Sequence, residues 1–237
     1  MLFSRSRLTP PASVVGVSSN VRPHEETHML PAPTLADVSA HSRNHPGALC
    51  CLLFAPPFSK PAKEGVVPRL AYLNHRSGHD IDFYCAGYGG YWRKDDFPDM
   101  ETIGEVRYED GTVIPWAFSQ KVFAAFVDEL EGISSWRYSG ETELLVFNAL
   151  TAFEDCLILE VERMIKDDAI SRASDLFESL IQYARSSAGR ATAYQFSDGK
   201  APSIFGKAVL DVISEGPKAL GKAWKSGRHY AVKSIAR

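Results

Sequence analysis

The sequence predicts an α/β or α+β fold, with a mixed β-sheet of about five strands flanked by helices and followed by a helical C-terminal region. Three observations predict it. Short apolar or alternating runs typical of strands recur along the chain, separated by stretches with helical spacing of apolar residues. An Asp-Gly pair lies between two of these runs, as in many hairpins. With 237 residues, 45% of them apolar, the chain can bury a core of one large or two small domains.

The first 46 residues are rich in Ser, Pro and Arg, with no acidic residue before Glu25 and little periodicity. Residues 1–24 have the composition of a transit peptide. The alternatives are a disordered leader or a start codon assigned too early, with Met29 as the true beginning, and we favour these alternatives. Residues 1–46 are therefore predicted to be a leader or disordered segment.

Residues 47–150 are predicted to form the sheet domain. The continuous apolar run 48–55 is typical of a central strand that is buried on both faces. A proline-rich loop follows, and Pro68 suits the first turn of a helix that ends near residue 76. Residues 80–86 alternate before becoming aromatic, which predicts a second strand.

A hairpin is predicted around Asp110 and Gly111, with arms at residues 105–108 and 113–116. Pro115 favours an edge position for the second arm, because proline has no N–H to donate to a neighbouring strand. Ser119 is expected to cap a helix over 120–131 whose apolar face packs on the sheet.

Residues 143–147 predict a further strand. Two helices are then predicted over 155–165 and 170–185, so that residues 151–190 form a helical pair packed on the sheet.

The cysteines and the hydropathy of the chain predict the cellular compartment of the protein. Cys50, Cys51, Cys85 and Cys156 show no CxxC pair and have apolar neighbours, which favours buried thiols in a reducing cytosol over disulfides. No apolar run approaches the roughly 20 residues needed to cross a bilayer. We expect a soluble, cytoplasmic protein.

A candidate catalytic cluster lies where the first predicted helix meets the second predicted strand, at His75, His79, Asp80 and Asp82. Imidazoles and carboxylates are the metal ligands or general bases of hydrolases. The two carboxylates would share one strand face. In the alternative interpretation Asp80 caps a turn and the histidines are solvated. The sequence contains no G-x-S-x-G, P-loop or H-E-x-x-H motif. We therefore predict no set of metal ligands, and the cofactor stays unassigned.

A candidate ligand-binding segment follows at residues 83–92, where glycines alternate with aromatic residues. Glycines permit unusual backbone paths, and aromatic rings offer flat surfaces for stacking a base or another ligand. The alternative is that the rings close the edge of the sheet. The candidate residues are Tyr84, Tyr88, Tyr91 and Trp92.

The charge of the chain is divided by region. Residues 200–237 carry eight Lys or Arg and two acidic residues, a net charge of about +6, whereas residues 50–199 carry 14 basic and 24 acidic residues, about −10. Residues 200–237 are predicted to form a basic amphipathic helical tail. Such a tail either contacts lipid or nucleic-acid phosphates or docks on the acidic body. The candidate partner-binding residues are Lys218, Lys222, Trp224, Lys225 and Arg228.

Three functions are compatible with these patterns. The first is a soluble intracellular binding or accessory protein whose tail engages a partner protein, a nucleic acid or an anionic membrane surface. The alternative is a small hydrolase that acts on a nucleotide or phosphodiester through Asp80, Asp82 and His75. The third is a structural subunit whose apolar tail face completes a homo-oligomer.

Overall fold

The computed structural model describes residues 29–32, 34–76, 80–90, 92–107, 111–148, 153, 156–187 and 230–236. Within these ranges, the side chains of residues 29–32, 74–76 and 230–233 are outside the description. The statements below refer to the described residues.

The main sheet has six strands in the order β1-β3-β2-β7-β8-β9. β1, β3 and β2 run parallel to one another, and β7, β8 and β9 extend the sheet with antiparallel pairs. The central strands β2, β7 and β8 are buried almost throughout, because both faces of the sheet are covered. The strand bounds are β1 Met29–Ala32, β2 Leu49–Phe54, β3 Ile81–Ala86, β7 Glu143–Asn148, β8 Cys156–Leu159 and β9 Tyr230–Lys233.

A smaller antiparallel sheet has the order β4-β6-β5, with β4 at Tyr88–Gly90, β5 at Glu101–Arg107 and β6 at Val113–Phe118. The predicted hairpin is therefore confirmed as the β5–β6 pair. Pro115 lies in the middle strand of this sheet, but β4 pairs only with residues 116–118. The edge position predicted for this arm is therefore wrong, because β6 is the middle strand; among the described residues its pairing with β4 covers 116–118.

Five helices flank the sheets: α1 Leu35–Asn44, α2 Leu70–Arg76, α3 Gln120–Ile133, α4 Val161–Lys166 and α5 Ala173–Ser186. A π-helical turn at Ala62–Val66 and a 3₁₀ turn at Val67–Arg69 lead into α2. On one face of the main sheet Phe54 contacts Phe123 and Phe126 of α3. On the other face Phe83 contacts Phe177 of α5. The predicted class, a mixed sheet flanked by helices, is confirmed.

The N-terminal part of the fold differs from the prediction. Residues 29–32 form a strand and residues 35–44 form a helix, where a leader or disordered segment was predicted for 1–46. The reason is that α1 buries only Leu35, Val38 and Ser42, too few apolar residues to give a visible helical period. Its position depends on tertiary contacts instead. Residues 1–28 lie outside the described residues.

The helix predicted over 155–165 is wrong in its first half. Residues 156–159 form β8, which pairs with β7 and β9, and the helix α4 occupies only 161–166. A four-residue apolar run does not distinguish a buried strand from a buried helix by periodicity. Pairing with β7, which is close in sequence, and with β9, which is more than 70 residues further along the chain, decides the conformation.

The C-terminal end also differs from the predicted helical tail. Tyr230–Lys233 pairs with β8, Ala236 bridges to Ser134, and Ile235 is buried. Residues 200–229, the larger part of that tail, lie outside the described residues.

The four cysteines are all buried and none forms a disulfide, as predicted. Among the described helices none combines the length and the apolar character that a membrane crossing needs.

Candidate metal centre

Helix α1 and the residue that follows it bring two histidines, His41 and His45, to the main sheet. The Thr34 hydroxyl caps the helix by accepting from the Asp37 N–H at 3.2 Å. At the other end, the His45 N–H donates to the Ser42 carbonyl at 3.1 Å. His41 lies in the last turn of α1, and His45 is the residue that caps its C-terminal end, with the non-helical backbone angles φ −123° and ψ 60°. The two histidines therefore lie close together at one end of the helix.

Strand β3 presents Asp82 and Tyr84 to this side of α1. The two residues are two positions apart and share one face of the strand. In the parallel pair with β2, Asp82 lies beside Cys50 and Tyr84 beside Leu52. Asp82 is 0% exposed and Tyr84 1% exposed, so both polar side chains lie within the protein interior.

The side chains of α1 and β3 meet in one cluster. The Nδ1 of His45 lies 3.2 Å from the Oδ2 of Asp82, and the Nδ1 of His41 lies 3.8 Å from the same oxygen. The Nδ1 of His41 is also 3.0 Å from the hydroxyl of Tyr84. The two imidazole rings meet edge to face, with centroids 4.6 Å apart. We refer to His41, His45 and Asp82 as the His-His-Asp cluster.

Burial and the Asp82 charge affect the neighbouring acids. Burial, followed by the proximity of Asp82, raises the pKa of the Cys50 thiol to about 12. Burial also raises the pKa of Tyr84, with Cys50 and Asp82 adding to the effect. At neutral pH both groups therefore keep their protons in the absence of a bound cation.

The dimensions of the His-His-Asp cluster fit a metal ion. One ligand atom from each residue lies within 4.8 Å of the others. Zn²⁺ bonds to imidazole nitrogen and carboxylate oxygen are about 2.0–2.2 Å long, which puts the ligand atoms of a tetrahedral ion about 3.4 Å apart. The two separations from the Asp82 oxygen, 3.2 and 3.8 Å, bracket this value. The two imidazole nitrogens lie at most 4.8 Å apart, so the histidines would move closer together on binding an ion. Imidazole ligands favour zinc, copper, iron or nickel over magnesium or calcium.

The cluster is accessible from one side. The side chains of His41 and His45 are 29% and 16% exposed, whereas that of Asp82 is 0% exposed. An ion can therefore enter past the histidines and meet the carboxylate below them. A three-ligand site of this kind holds an ion and, if a fourth position is left to water, can activate that water.

Of the four predicted catalytic residues, the structure brings Asp82 into this cluster. Asp80 lies in the turn before β3, half-buried, and its carbonyl accepts from the Leu49 N–H at 2.9 Å. The side chains of His75 and His79 lie outside the described residues. The imidazole partners of Asp82 within the described residues are His41 and His45.

The four predicted ligand-binding aromatics have different environments. Tyr84 belongs to the surroundings of the His-His-Asp cluster. Tyr88 is 0% exposed, and its hydroxyl donates to the carbonyl of Ala55. Trp92 stacks on Phe97 with centroids 4.3 Å apart and covers Gly89, where an added Cβ would come 1.8 Å from the indole. Tyr91 lies outside the described residues, as do the partner-binding candidates Lys218, Lys222, Trp224, Lys225 and Arg228.

Sequence reasoning missed His41 and His45 because they lie in the segment that was predicted to be a leader. A usable signal was present. Thr34 followed by Asp37 is typical of a helix start, and the two histidines then follow at one-turn spacing.

Comparison of the chain with protein-family models, curated proteins and solved structures finds no match.

Proposed function

We propose that this protein binds a divalent transition-metal ion, with Zn²⁺ the best suited, through His41, His45 and Asp82. The observation that carries the proposal is the convergence of two imidazole nitrogens, one from the last turn of α1 and one from the residue that follows the helix, on a buried carboxylate of a neighbouring strand. Two histidines four residues apart, joined by a third ligand from another element, are a recurrent way of holding zinc.

The burial of Asp82 supports a cation at this position. A carboxylate without solvent is costly unless positive charge and hydrogen bonds compensate it. The two histidines supply donors, and a divalent ion would supply the charge more completely. The ion would also link α1 to the sheet, which matters because α1 buries only three residues of its own.

Calorimetric titration with Zn²⁺ tests the proposal. The chain is stripped with a chelator and compared with His41→Ala, His45→Ala and Asp82→Asn. Asp128→Asn is a matched control, because it removes an exposed carboxylate of α3 that is not part of the cluster. We expect one Zn²⁺ per chain in the unaltered protein and the control, and at least tenfold weaker binding in each of the three variants, since loss of even a supporting residue weakens metal sites about 10–100-fold.

Equal binding by all five proteins, or no binding by the unaltered chain, would contradict the proposal. In that case the His-His-Asp cluster is a hydrogen-bonded contact that holds α1 on β3. A circular-dichroism spectrum of each variant establishes that reduced binding does not follow from unfolding.

A second proposal concerns the basic residues between 200 and 229. We propose that they engage a partner protein, a nucleic acid or an anionic membrane surface, on the strength of the charge difference between this segment and the acidic body. The pairing of β9 with β8 determines how this is tested, because a truncation would remove a strand of the main sheet. Substitution to glutamine at Lys218, Lys222, Lys225 and Arg228 leaves β9 in place.

We expect the unaltered chain to bind DNA or anionic vesicles at low salt and the substituted chain to bind at least tenfold more weakly, with the difference diminishing at high salt. Equal, negligible binding by both chains to both probes would contradict the lipid and nucleic-acid versions. A protein partner would then be the remaining form of the proposal.

A further inference from the structure

We propose that a groove beside helix α1 binds a small apolar monocarboxylate, whose acid group pairs with the guanidinium of Arg43 and whose apolar body lies along the helix. The groove has a volume of about 250 Å³ and lies between α1, the C-terminal ends of α3 and β7, and the connection from β7 to β8. It shares no lining residue with the His-His-Asp cluster, so the proposal goes beyond the metal-binding function.

The walls of the groove are mainly apolar. Leu35 and Val38 of α1 and Phe147 of β7 line it and are 6%, 4% and 4% exposed. Phe153 packs on Phe147 with ring centroids 5.2 Å apart. Ile133, the last residue of α3, also lines the groove but is 53% exposed, so it lies at the opening. A ligand in the groove would remove part of this apolar surface from water, which is favourable.

One end of the groove carries a positive charge. The Nε of Arg43 donates to the carbonyl of Ser39 at 2.9 Å, which holds the arginine side chain along the helix. Within the described part of the chain Arg43 forms no ion pair, so its terminal nitrogens can donate to a ligand. The two parallel N–H groups of a guanidinium match the two oxygens of a carboxylate.

The other end of α1 carries a negative charge. The carboxylate of Glu129 on α3 accepts from the Leu35 N–H at 3.3 Å. Leu35 and Arg43 are eight residues apart, which is about 12 Å along a helix. A monocarboxylate is therefore expected to lie with its acid group at Arg43 and its apolar body toward Leu35.

The dimensions of the groove limit the class of ligand. An apolar cavity of about 150 Å³ holds benzene. The 250 Å³ of this groove therefore accommodate one aromatic ring or a short alkyl chain with an acid group attached. The polar side chains that line it are one cation, Arg43, and the hydroxyls of Ser39 and Ser42. A ligand with several phosphates would leave charges without partners, which is costly.

Titration of the chain with phenylacetate, followed by ligand-detected nuclear magnetic resonance, tests the proposal. A chelator is present throughout, so that no bound ion attracts the carboxylate. Phenylacetamide is the matched ligand, because it has nearly the same shape without the charge. Arg43→Gln removes the cation, and Ser39→Phe fills the groove from an exposed position. Arg107→Gln is the control, because it removes an exposed cation of β5 that does not line the groove.

We expect saturable binding of phenylacetate to the unaltered chain and to Arg107→Gln, with a Kd of about 1 mM or below. Phenylacetamide should bind the unaltered chain about three- to tenfold more weakly, the range for a bidentate ion pair near the surface. Arg43→Gln should weaken phenylacetate binding by the same factor and leave phenylacetamide binding unchanged. Ser39→Phe should abolish the binding of both ligands.

Three results would overturn the proposal: no saturable binding of phenylacetate, equal affinity for the acid and the amide, or undiminished binding in Ser39→Phe. None of them bears on the metal-binding proposal, because the His-His-Asp cluster is unchanged and no ion is present. If a variant does not fold, the comparison of acid with amide in the unaltered chain decides.

Discussion

The carboxylate of Asp82 and the imidazole of His45 are in contact, with 3.2 Å between Oδ2 and Nδ1, although the two residues are 37 positions apart in the sequence. The contact joins the C-terminal cap of helix α1 to the beginning of strand β3. His41 reaches the same carboxylate from one helical turn earlier. The N-terminal helix is thus attached to the sheet by polar groups at a place where its apolar contacts are few.

The first prediction concerns the energy of this contact in the metal-free protein. A double-mutant cycle with His45→Ala and Asp82→Ala should give a coupling free energy of about 1–3 kcal/mol in urea unfolding with a chelator present, because the hydrogen-bonded carboxyl group is buried. The same cycle with His41→Ala should give a smaller value, since His41 is 3.8 Å from the oxygen. Additivity of His45→Ala and Asp82→Ala within about 0.3 kcal/mol would show that the contact contributes nothing.

The second prediction compares two glycines with similar backbone angles. Gly87 has φ 77°, and a Cβ there would come 2.6 Å from the Cβ of Phe123 and 2.8 Å from Phe118. Gly111 has φ 84°, and among the described residues no atom comes within 4 Å of such a Cβ. Gly111→Ala should therefore lower the free energy of unfolding by the backbone strain alone, about 1–2 kcal/mol. Gly87→Ala should cost about 1–3 kcal/mol more, because the core is overpacked.

Denaturant unfolding of both glycine variants measures the difference. If the two substitutions destabilise the protein equally, the close approach of α3 to Gly87 is not a constraint on the fold.

The third prediction is a pH dependence that originates at Glu143. This side chain is 2% exposed and accepts hydrogen bonds from the indole of Trp136 and the N–H of Ser139, both at 3.1 Å. Burial raises the pKa of Glu143, and this outweighs the lowering by its hydrogen bonds. The folded state therefore binds more protons than the unfolded state, so the contribution of Glu143 to stability declines as the pH rises from its ordinary pKa of about 4.3 to the raised value.

Glu143→Gln should remove this decline, because glutamine does not titrate. The substitution also replaces one acceptor oxygen by an amide NH₂ group, so it should lower the free energy of unfolding at acid pH by about 1 kcal/mol. The measurement is the free energy of unfolding of both proteins between about pH 4 and pH 7, the interval in which a carboxyl group with a raised pKa loses its proton. An unchanged slope in the variant would mean that Glu143 titrates normally in the folded state.

The fourth prediction concerns the start of α3. The hydroxyl of Ser119 accepts from the Val122 N–H at 3.2 Å and donates to the carboxylate of Asp99 at 2.8 Å. Ser119→Ala should lower the free energy of unfolding by about 1–2 kcal/mol, because a cap is lost at a buried position. Gln120→Ala, one residue on and exposed, is the control and should change it by less than about 0.5 kcal/mol. Equal effects of the two substitutions would contradict the capping role.

Local signals in the sequence were sufficient for part of the fold. The apolar run of β2, the hairpin signal between β5 and β6 and the Ser119 cap each specify a conformation through a few adjacent residues. The strand β2, the pairing of the two hairpin arms and the cap agree with the structure. β8 and β9 are different. Their conformation depends on pairing between chain segments that are more than 70 residues apart.

The composition of the candidate site depends even more strongly on contacts between residues that are distant in sequence. Asp82 was recognised from its strand position, but its partners His41 and His45 lie in a segment whose composition resembles a leader. Nothing local to Asp82 indicates that α1 packs on this face of β3. The fold brings the three residues together, so only the structure identifies the cluster.

The most direct measurement of the central claim is the crystal structure of the Zn²⁺-loaded chain, with anomalous diffraction data collected at the zinc absorption edge. We predict one anomalous peak about 2.0–2.2 Å from the Nδ1 atoms of His41 and His45 and from a carboxylate oxygen of Asp82. No peak at this position in crystals grown with saturating Zn²⁺, with His45 and Asp82 still in direct contact at 3.2 Å, would contradict it.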